Sequence, residues 1–341
     1  MRAIVPVAGT GTRLRPHTHT TPKVLLHVAG KPILGHILDE LVAIGVDRIS
    51  FIVGYMGDMV RTYVQAAYPD LQAEYVEQEE RLGLGHAIWL ARSTVTDPGE
   101  PVLIILGDTI FRADLAPVLK SGVSMIGVKE VDEPHRFGIV ELDNGHIRRL
   151  VEKPKKPKTN LAIIGIYYLL NSGELFDALG RIIERGQRTK GEFQLTDALQ
   201  EMIDGGRKMR TFSVDGWYDC GKPETLLETN RVLLDAKNQA SADECAKNFP
   251  GNIFNGPVYV APDAEIHNSI IGPYVAVATR CVIRDSIIHD SILSSQARVE
   301  EMVLDQSIIS DKAVIVGEAF RLSVGDSSEI RFGRGRDEDA G

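Results

Sequence analysis

Residues 3–16, AIVPVAGTGTRLRP, decide the fold of the first part of the chain. The apolar residues 3–7 predict a short buried strand, and a turn containing Gly9 and Gly11 follows at once. A glycine-rich turn after a parallel strand lets backbone N–H groups approach phosphate oxygens closely. The stretch therefore predicts an anion-binding loop at the carboxyl edge of an α/β sheet.

This loop differs from two common phosphate-binding patterns. A dinucleotide-binding GxGxxG motif would need glycine where Leu14 stands, and Pro16 disfavours an immediate helix. A P-loop would need Ser or Thr after a Gly-Lys pair, and neither Gly30-Lys31 nor Gly221-Lys222 is followed by one. What remains is an anion-binding loop that carries its own arginine.

The first ~235 residues alternate short apolar runs with longer amphipathic segments, which is typical of an α/β sheet with helices on both faces. Residues 49–53 and 103–106 predict strands, and residues 32–44 and 56–67 predict helices. Gly45 is the expected C-cap of the first helix. That helix is expected to bury one face composed of Ile33, Leu34, Ile37, Leu38, Leu41 and Val42.

Beyond residue 250 the helical period disappears, and small aliphatic residues recur every five or six positions. A tetrapeptide ending in Ser-Ile-Ile or Ser-Ile-Leu begins at Asn268, Asp285, Asp290 and Gln306. This pattern predicts a solenoid and resembles an irregular hexapeptide-repeat, left-handed β-helix. A β-sandwich of short strands is the alternative. The predicted domains are residues 1–238 and 250–331, followed by a flexible tail, 332–341.

Composition excludes several classes of protein. The 341 residues are 43% apolar and 25% charged, as in ordinary globular proteins. The net charge of −9 disfavours nucleic-acid binding. No apolar run is long enough for a membrane span, and residues 1–7 lead straight into a strand, without the apolar region of a signal peptide. Three widely spaced cysteines without a CxxC pattern are expected to be reduced thiols of a cytoplasmic protein.

The loop and a second motif together resemble the sugar-1-phosphate nucleotidylyltransferases. That family opens with GxGTRLxP, intact here at residues 9–16, followed by PKxLL, intact at residues 22–26. Ala8 is a departure, because many members have a second glycine there. The resemblance continues in order through the segments at residues 83–87, 106–108, 137–138, 152–154, 191–197 and 217–221. The repeats after residue 250 are similar to those of the long-form glucose-1-phosphate thymidylyltransferases, and residues 322–326 resemble the closing segment of their tails.

The resemblance implies a Rossmann-like domain with a mostly parallel sheet, and it implies roles for individual residues. Catalysis is expected to depend on Arg13, Lys23 and Asp108, and Mg²⁺ is expected to bind Asp108 and Asp219. The expected nucleotide-binding residues are Ala8, Gly9, Thr10, Gly11, Thr12, Gln78 and Gly83. The expected sugar-phosphate-binding residues are Gly138, Glu152, Lys153, Tyr167 and Lys190.

The chemistry of these side chains suits those roles. Asp108 follows the apolar strand at 103–106, at the sheet edge where open α/β sheets bind ligands. Mg²⁺ prefers one or two carboxylates together with phosphate oxygens, so a second carboxylate at Asp219 would suit it. Lys190 stands where relatives often carry arginine, and it keeps the charge but loses the bidentate fork. Tyr167 could equally be a core residue.

The implied reaction joins a nucleoside triphosphate, dTTP or UTP, to a sugar 1-phosphate and releases pyrophosphate. GTP with mannose 1-phosphate is a third pairing. Two other classes remain open: a non-catalytic regulatory subunit, and a bifunctional enzyme whose β-helix also transfers an acyl group, for which His267 and His289 are weak candidate bases. The β-helix is more simply expected to assemble a homo-oligomer, because stacked coils expose aliphatic rows and a free end.

Overall fold

The computed structural model describes residues 1–236 and 242–318. The end of the first predicted domain, residues 237–238, lies outside the described residues. So do residues 319–331 of the predicted β-helix, with the closing segment at 322–326, and the predicted tail. Within the described ranges, no helix has the length and apolar character needed to cross a membrane.

Strands and helices alternate through residues 1–236, as the sequence predicts. The strands are β1 (Arg2–Pro6), β2 (His27–Val28), β3 (Lys31–Pro32), β4 (Arg48–Val53), β5 (Gln72–Glu77), β6 (Val102–Ile105), β7 (Thr109–Arg112), β8 (Ser124–Glu130), β9 (Gly138–Asp143), β10 (His146–Glu152), β11 (Leu161–Leu169), β12 (Met209–Ser213) and β13 (Gly216–Asp219). The helices are α1 (Ile33–Ala43), α2 (Gly57–Ala67), α3 (Leu84–Leu90), α4 (Ala116–Leu119), α5 (Ser172–Glu184), α6 (Leu195–Asp204) and α7 (Pro223–Ala236). Single turns of 3-10 helix cover Thr12–Leu14, Lys23–Leu25, Ala91–Thr94 and Pro134–Arg136.

The central sheet of the described residues has nine strands and is mostly parallel. β1 pairs in parallel with β4 and β6, and β4 pairs in parallel with β5. β11 runs antiparallel to β6, β8 and β9, while β10 is antiparallel to β9 and β12 is parallel to β8. Seven strands therefore share one direction and two, β10 and β11, oppose it. This confirms the predicted Rossmann-like α/β class.

Helix α1 confirms most of its predicted buried face and corrects one position. Five of the six predicted residues are at most 1% exposed, but Val42 is 48% exposed. At about 100° per residue, Val42 lies roughly 40° beyond the edge of the stripe that the other five define. Gly45 adopts φ of 80°, and its N–H bonds to the Val42 carbonyl, as expected for a residue that ends a helix.

The β-helix follows α8 (Ala242–Asn248), which occupies part of the segment between the predicted domains. Three parallel sheets of four strands stack along it. The first contains β14 (Ile253–Phe254), β17 (Ile270–Ile271), β20 (Ile287–Ile288) and β23 (Val303–Leu304). The second contains β15 (Val258–Val260), β18 (Val275–Val277), β21 (Ile292–Leu293) and β24 (Ile308–Ile309). The third contains β16 (Glu265–His267), β19 (Val282–Arg284), β22 (Arg298–Glu300) and β25 (Val314–Val316).

Partners on successive coils in the first sheet are 17, 17 and 16 residues apart, as their register shows. This stacking of short coils in three sheets has the form of the predicted left-handed β-helix, and it excludes the alternative sandwich. Nine of the eleven recurring aliphatic residues are buried in its core, namely Ile266, Ile271, Val277, Ile283, Ile288, Leu293, Val299, Leu304 and Ile309, whereas Val260 and Ile315 are partly buried and pack against it.

The repeated tetrapeptide has a physical explanation at the corners of the coils. Its first residue adopts a left-handed backbone, with φ between 41° and 48° at Asn268, Asp285, Asp290 and Gln306. The serine that follows is buried in the first three tetrapeptides, at Ser269, Ser286 and Ser291. Ser291 is fully buried, donates to the His289 carbonyl and accepts the Ser307 N–H at 3.0 Å. Serine therefore satisfies polar backbone groups of two coils at once, which an apolar residue could not do.

The second sheet of the β-helix packs against the first domain. Arg231 forms a two-point ion pair with Asp290. Asn230 is fully buried, and its side chain accepts the Ala29 N–H at 2.9 Å and donates to the Tyr274 carbonyl at 3.0 Å. Because a buried side-chain amide needs such partners, this asparagine joins the two domains specifically.

We predict that Ser291→Ala lowers the midpoint of thermal unfolding by several degrees, because it removes the partner of the partly buried Ser307 N–H and His289 carbonyl. Ser93→Ala is the matched control, since Ser93 is exposed and its hydroxyl bonds only to the Leu90 carbonyl. Differential scanning calorimetry measures both. Equal midpoints for the two variants would contradict the role assigned to the corner serines.

Candidate active site

Two adjoining cavities open at the carboxyl ends of β1, β5 and β6. The first, of about 530 Å³, is lined by the glycine loop, Lys23, Gln78 and Gly83. The second, of about 470 Å³, is lined by residues of β9, β10, β11 and the start of α6. The walls shared by both cavities are Arg13, Leu84, Leu106, Asp108 and Glu192. The site is therefore a bipartite cleft with charged groups where its two halves meet.

Lys23 and Asp108 form an ion pair at this junction. Lys23 begins a 3-10 turn, and its side chain is only 7% exposed, while Asp108 follows β6 and is 42% exposed. The Lys23 Nζ lies 2.7 Å from Asp108 Oδ2. Lys23 is thus held inside the cleft by a carboxylate, whereas an isolated lysine after a proline is more often a solvated surface charge.

A small antiparallel sheet brings Asp219 beside Asp108. Strands β7 and β13 pair so that Asp219 lies opposite Thr109, and the Cys220 N–H donates to the Asp108 carbonyl at 3.3 Å. Gly221 leaves room here, because a Cβ at this position would lie 3.0 Å from Arg13 Nη2 and about 3 Å from the Asp219 carboxylate oxygens. The structure thus gathers both predicted metal ligands and the loop arginine from three distant segments.

The far wall of the first cavity depends on a close approach at Gly83. Its φ is 113°, and a Cβ there would lie 2.6 Å from the Phe193 carbonyl oxygen. The Phe193 N–H donates to the Leu82 carbonyl at 2.8 Å, which fixes the two segments together. The buried Gln78 side chain donates to the Gly83 carbonyl at 3.3 Å. Gln78 and Gly83 thus form one rigid corner of the cavity.

Glu152 is the central polar group of the second cavity. It lies opposite Gly138 in the β9–β10 hairpin, and its Oε2 accepts the Thr196 hydroxyl at 3.2 Å. Its Oε1 lies 3.5 Å from Lys153 Nζ. Tyr167 is 3% exposed, and burial first and the Glu152 charge second raise the pKa of its phenol, so it stays protonated. Phe137 and Trp217 form an edge-to-face pair at the cavity wall.

Not every predicted site residue lies in the cleft. Among the described residues, Gly11, Thr12 and Lys190 are predicted to bind ligand but line neither cavity. Gly11 serves the loop itself, because its carbonyl accepts the Leu14 N–H and the Thr18 hydroxyl. Lys190 is exposed and adopts a left-handed backbone beside Gly191. Its role at a sugar phosphate stays a prediction.

The cleft also contains residues that were not assigned roles from the sequence. Arg81 adds a cation to the first cavity, Glu192 lines both cavities, and Thr196 bonds to Glu152. Arg81 and Glu192 are exposed charges that would look like ordinary surface residues in the sequence. Only the contact between residues 82–85 and 192–193 brings them to the cleft.

Comparison with known proteins identifies the family of the chain. The sequence model of the nucleotidyl transferase family matches residues 2–236. A glucose-1-phosphate thymidylyltransferase of Streptomyces antibioticus is 31% identical, over 97% of this chain and 99% of that protein. The UTP–glucose-1-phosphate uridylyltransferase AglF of Haloferax volcanii is 33% identical, over 71% of this chain and 100% of that protein.

A crystal structure of UDP-glucose pyrophosphorylase complexed with UDP-glucose superposes with a TM-score of 0.59 at 26% identity, covering 69% of this chain and 98% of that one. The similarity to the Streptomyces protein covers 97% of the chain and so includes the β-helix, whereas the other two matches cover about 70% of the chain. The chain therefore belongs to the nucleotidyl transferase family and is an enzyme of the sugar-1-phosphate nucleotidylyltransferase kind, in its long form.

Proposed function

We propose that the protein condenses dTTP with glucose 1-phosphate to give dTDP-glucose and pyrophosphate. The observation that carries this proposal is the bipartite cleft, in which Arg13, Lys23, Asp108 and Asp219 meet between a cavity for the nucleotide and one for the sugar. The similarity to the Streptomyces thymidylyltransferase over the whole chain, β-helix included, supports the choice of dTTP.

The reaction is an in-line displacement at phosphorus. An oxygen of the sugar phosphate attacks the α-phosphorus, the new P–O bond forms as the bond to the β-phosphate breaks, and pyrophosphate leaves with the electron pair. No covalent enzyme intermediate is needed. Catalysis then depends on positioning and charge neutralisation. Lys23 stabilises the α-phosphate and the attacking phosphate, while Arg13 and the loop of residues 8–12 hold the triphosphate.

Mg²⁺ is the metal that we assign to this reaction. Asp108 and Asp219 supply two oxygen donors, the set that Mg²⁺ combines with phosphate oxygens. They fit because the β7–β13 pairing sets the two residues side by side and Asp108 is partly open to the cleft. Bound there, the ion would offset charge on the triphosphate and the leaving pyrophosphate.

Glu152 is the residue that we assign to sugar recognition. A carboxylate fixed by Thr196 accepts hydrogen bonds from neighbouring sugar hydroxyls, and Lys153 beside it suits the phosphate of the same substrate. Gly138 leaves the pocket open, because a Cβ there would lie 3.0 Å from Glu152 Oε2. The protonated Tyr167 phenol supplies a donor at the base of the pocket.

UTP is the second candidate nucleotide. It is supported by the similarity to the Haloferax uridylyltransferase and to the UDP-glucose pyrophosphorylase structure. GTP with mannose 1-phosphate is a third pairing, carried by the sequence resemblance alone.

Two other functional classes have less support. A regulatory subunit would not need Arg13, Lys23 and both aspartates gathered in one cleft. For acyl transfer, the His289 Nδ1–H donates to the Gly272 carbonyl at 2.6 Å, which leaves Nε2 as the acceptor of the ring, but neither His289 nor His267 lines the two cavities of the cleft. His267 is exposed on the third sheet of the β-helix.

We further propose a reducing, cytoplasmic location and a homo-oligomer. All three cysteines are free and buried. Burial raises the pKa of Cys220 to about 12 and that of Cys281 to about 11, so these thiols stay protonated and unreactive. An outward row on the first sheet of the β-helix supports self-association: Ile253, Ile270, Ile287 and Val303 pair in register, and all but Ile270 are exposed.

The first experiment measures pyrophosphate release by the purified protein with Mg²⁺, using dTTP, UTP, GTP and ATP, each with glucose, mannose or N-acetylglucosamine 1-phosphate. We expect the highest rate with dTTP and glucose 1-phosphate. A dominant rate with UTP would identify UTP in place of dTTP as the nucleotide substrate, and the proposed type of reaction would stand. Folded protein that is silent with every pair would refute the proposed function.

We predict that Lys23→Ala lowers turnover at least ~100-fold, because a preorganised cation at the reacting phosphates is lost. Lys31→Ala is the matched control: Lys31 also pairs with a carboxylate, Asp39, but lies outside both cavities. Steady-state kinetics and circular dichroism of both variants test this. An unchanged turnover in folded Lys23→Ala protein would overturn the assignment.

We also predict that Val303→Lys dissociates the oligomer, because it places a charge in the exposed aliphatic row. Val314→Lys changes an equally exposed valine on the third sheet and serves as the control. Light scattering coupled to size-exclusion chromatography gives the mass of each variant. A wild-type protein that is monomeric would contradict the prediction.

A further inference from the structure

We propose that the last described coil of the β-helix is a positioning element of the nucleotide site, because Ser310 holds the segment between Arg13 and Lys23 through His17. This inference rests on the proposed function and assigns the β-helix a part in substrate binding, in addition to its expected part in assembly. We define the phosphate segment as residues 14–22, which join the loop arginine to the buried lysine.

The contact between the β-helix and the phosphate segment is direct. His17 Nδ1 and Ser310 Oγ lie 2.6 Å apart, although they are 293 residues apart in sequence. Thr21 Oγ1 lies 3.5 Å from Asp311 Oδ2. Burial lowers the pKa of His17, so its ring is neutral and can share this short hydrogen bond with the hydroxyl. A cavity of about 200 Å³ behind the contact is walled by both domains.

The contact at His17 is linked through the neighbouring Thr18 to the glycine loop and to Lys23. Thr18, next to His17, is 5% exposed and donates its hydroxyl to the Gly11 carbonyl at 2.8 Å. A Cβ at Gly11 would lie 2.9 Å from Thr18 Cγ2 and 3.0 Å from Lys23 Cβ, so the segment packs tightly on the glycine loop. Displacement of residues 17–21 would therefore disturb both the loop that holds the triphosphate and the backbone that carries Lys23.

Apart from Thr18 and the buried residues Leu14, Thr21 and Pro22, the phosphate segment has few contacts with the first domain. Arg15, Pro16, His19 and Thr20 are exposed. The segment has no strand and, beyond Leu14 at the end of a 3-10 turn, no helix. Its described backbone bonds join Leu14 to Gly11, Arg15 to Thr12, His19 to Pro16 and Leu25 to Pro22, all within one turn of the chain. Segments with few packed contacts and exposed backbone open at low free energy. The contact with Ser310 supplies an external anchor that the segment itself lacks.

The length of the β-helix matters for this contact. Ser310 and Asp311 follow β24, which lies on the last of the four coils that the structure describes, whereas Arg231 and Asn230 bind the earlier coils at Asp290 and Tyr274. The first domain is therefore held at two places. The earlier coils fix the orientation of the β-helix, and the fourth coil reaches the site.

Loss of the hydrogen bond between His17 and Ser310 should weaken nucleotide binding and leave the rate of the chemical step unchanged. If the phosphate segment adopts its binding conformation only part of the time, the apparent dissociation constant for the nucleotide rises. It equals the intrinsic constant divided by the fraction of protein in that conformation. Once bound, the triphosphate itself orders the loop, and turnover at saturation is retained. A split between KM and kcat separates this from general damage to the fold.

The test compares full-length Ser310→Ala with Ser295→Ala. Both serines line the same cavity, but within the described contacts only Ser310 bonds to the phosphate segment. Ser310 is half-buried at a corner of the coil, so its loss should leave the β-helix folded. Hydrogen–deuterium exchange of the ligand-free proteins is followed at the amides of His19, Leu25 and Leu26, which bond to nearby carbonyls.

We expect faster exchange at these amides in Ser310→Ala alone. The KM for the preferred nucleotide should rise about threefold to tenfold, the range that one lost hydrogen bond produces, with kcat changed by less than about twofold. Ser310→Thr, which keeps the hydroxyl, should restore both values. The exchange measurement needs no substrate, so it reports on the anchor even if the proposed reaction fails. Wild-type exchange in Ser310→Ala, or equal acceleration in Ser295→Ala, would overturn the proposal.

Discussion

The parallel pairing of β1 with β4 and β6 is the constraint on which the rest of the molecule depends. Because these strands run in one direction, the loops that follow them leave the sheet at the same edge. The glycine loop follows β1, and Asp108 follows β6. The antiparallel strand β11 then closes the other side, with Tyr167 opposite Ile104. The position of the bipartite cleft at this edge follows from these strand directions.

The ion pair between Lys23 and Asp108 illustrates how the charged side chains at this edge of the sheet neutralise one another. Arg13, Lys23 and Arg81 stand in or near the same space as Asp108, Asp219 and Glu192. Without ligand, opposite charges compensate one another, so a nearly buried lysine is not left unpaired. In the proposed reaction, Lys23 would turn to the phosphates and the Asp108 carboxylate would be freed for the cation. The same groups would then serve both the stability of the site and its chemistry.

The sequence predicted most of the secondary structure, and it failed where long-range packing decides. The glycine loop and the β-helix core were recognisable because spacing and residue type carry that information, whereas Asp108 and Glu152 were identified through the family resemblance, and their roles stay predictions. Val42 was wrong because a helical wheel does not say where the neighbouring surface ends. Arg81 and Glu192 could not be found, since their place depends on a contact between segments about 110 residues apart. His17 against Ser310 has no local signal at all.

The serine corners of the β-helix have a consequence for how this protein can vary in length. Each inward serine bonds to the coil above it and each aliphatic residue points to the axis, so a single-residue insertion within a strand would turn every later side chain to the wrong face. Tolerated changes should come as whole coils of 16 or 17 residues. The β-helix can therefore change in length only by whole coils, and the contact with residues 17–21 of the first domain is made by the fourth coil.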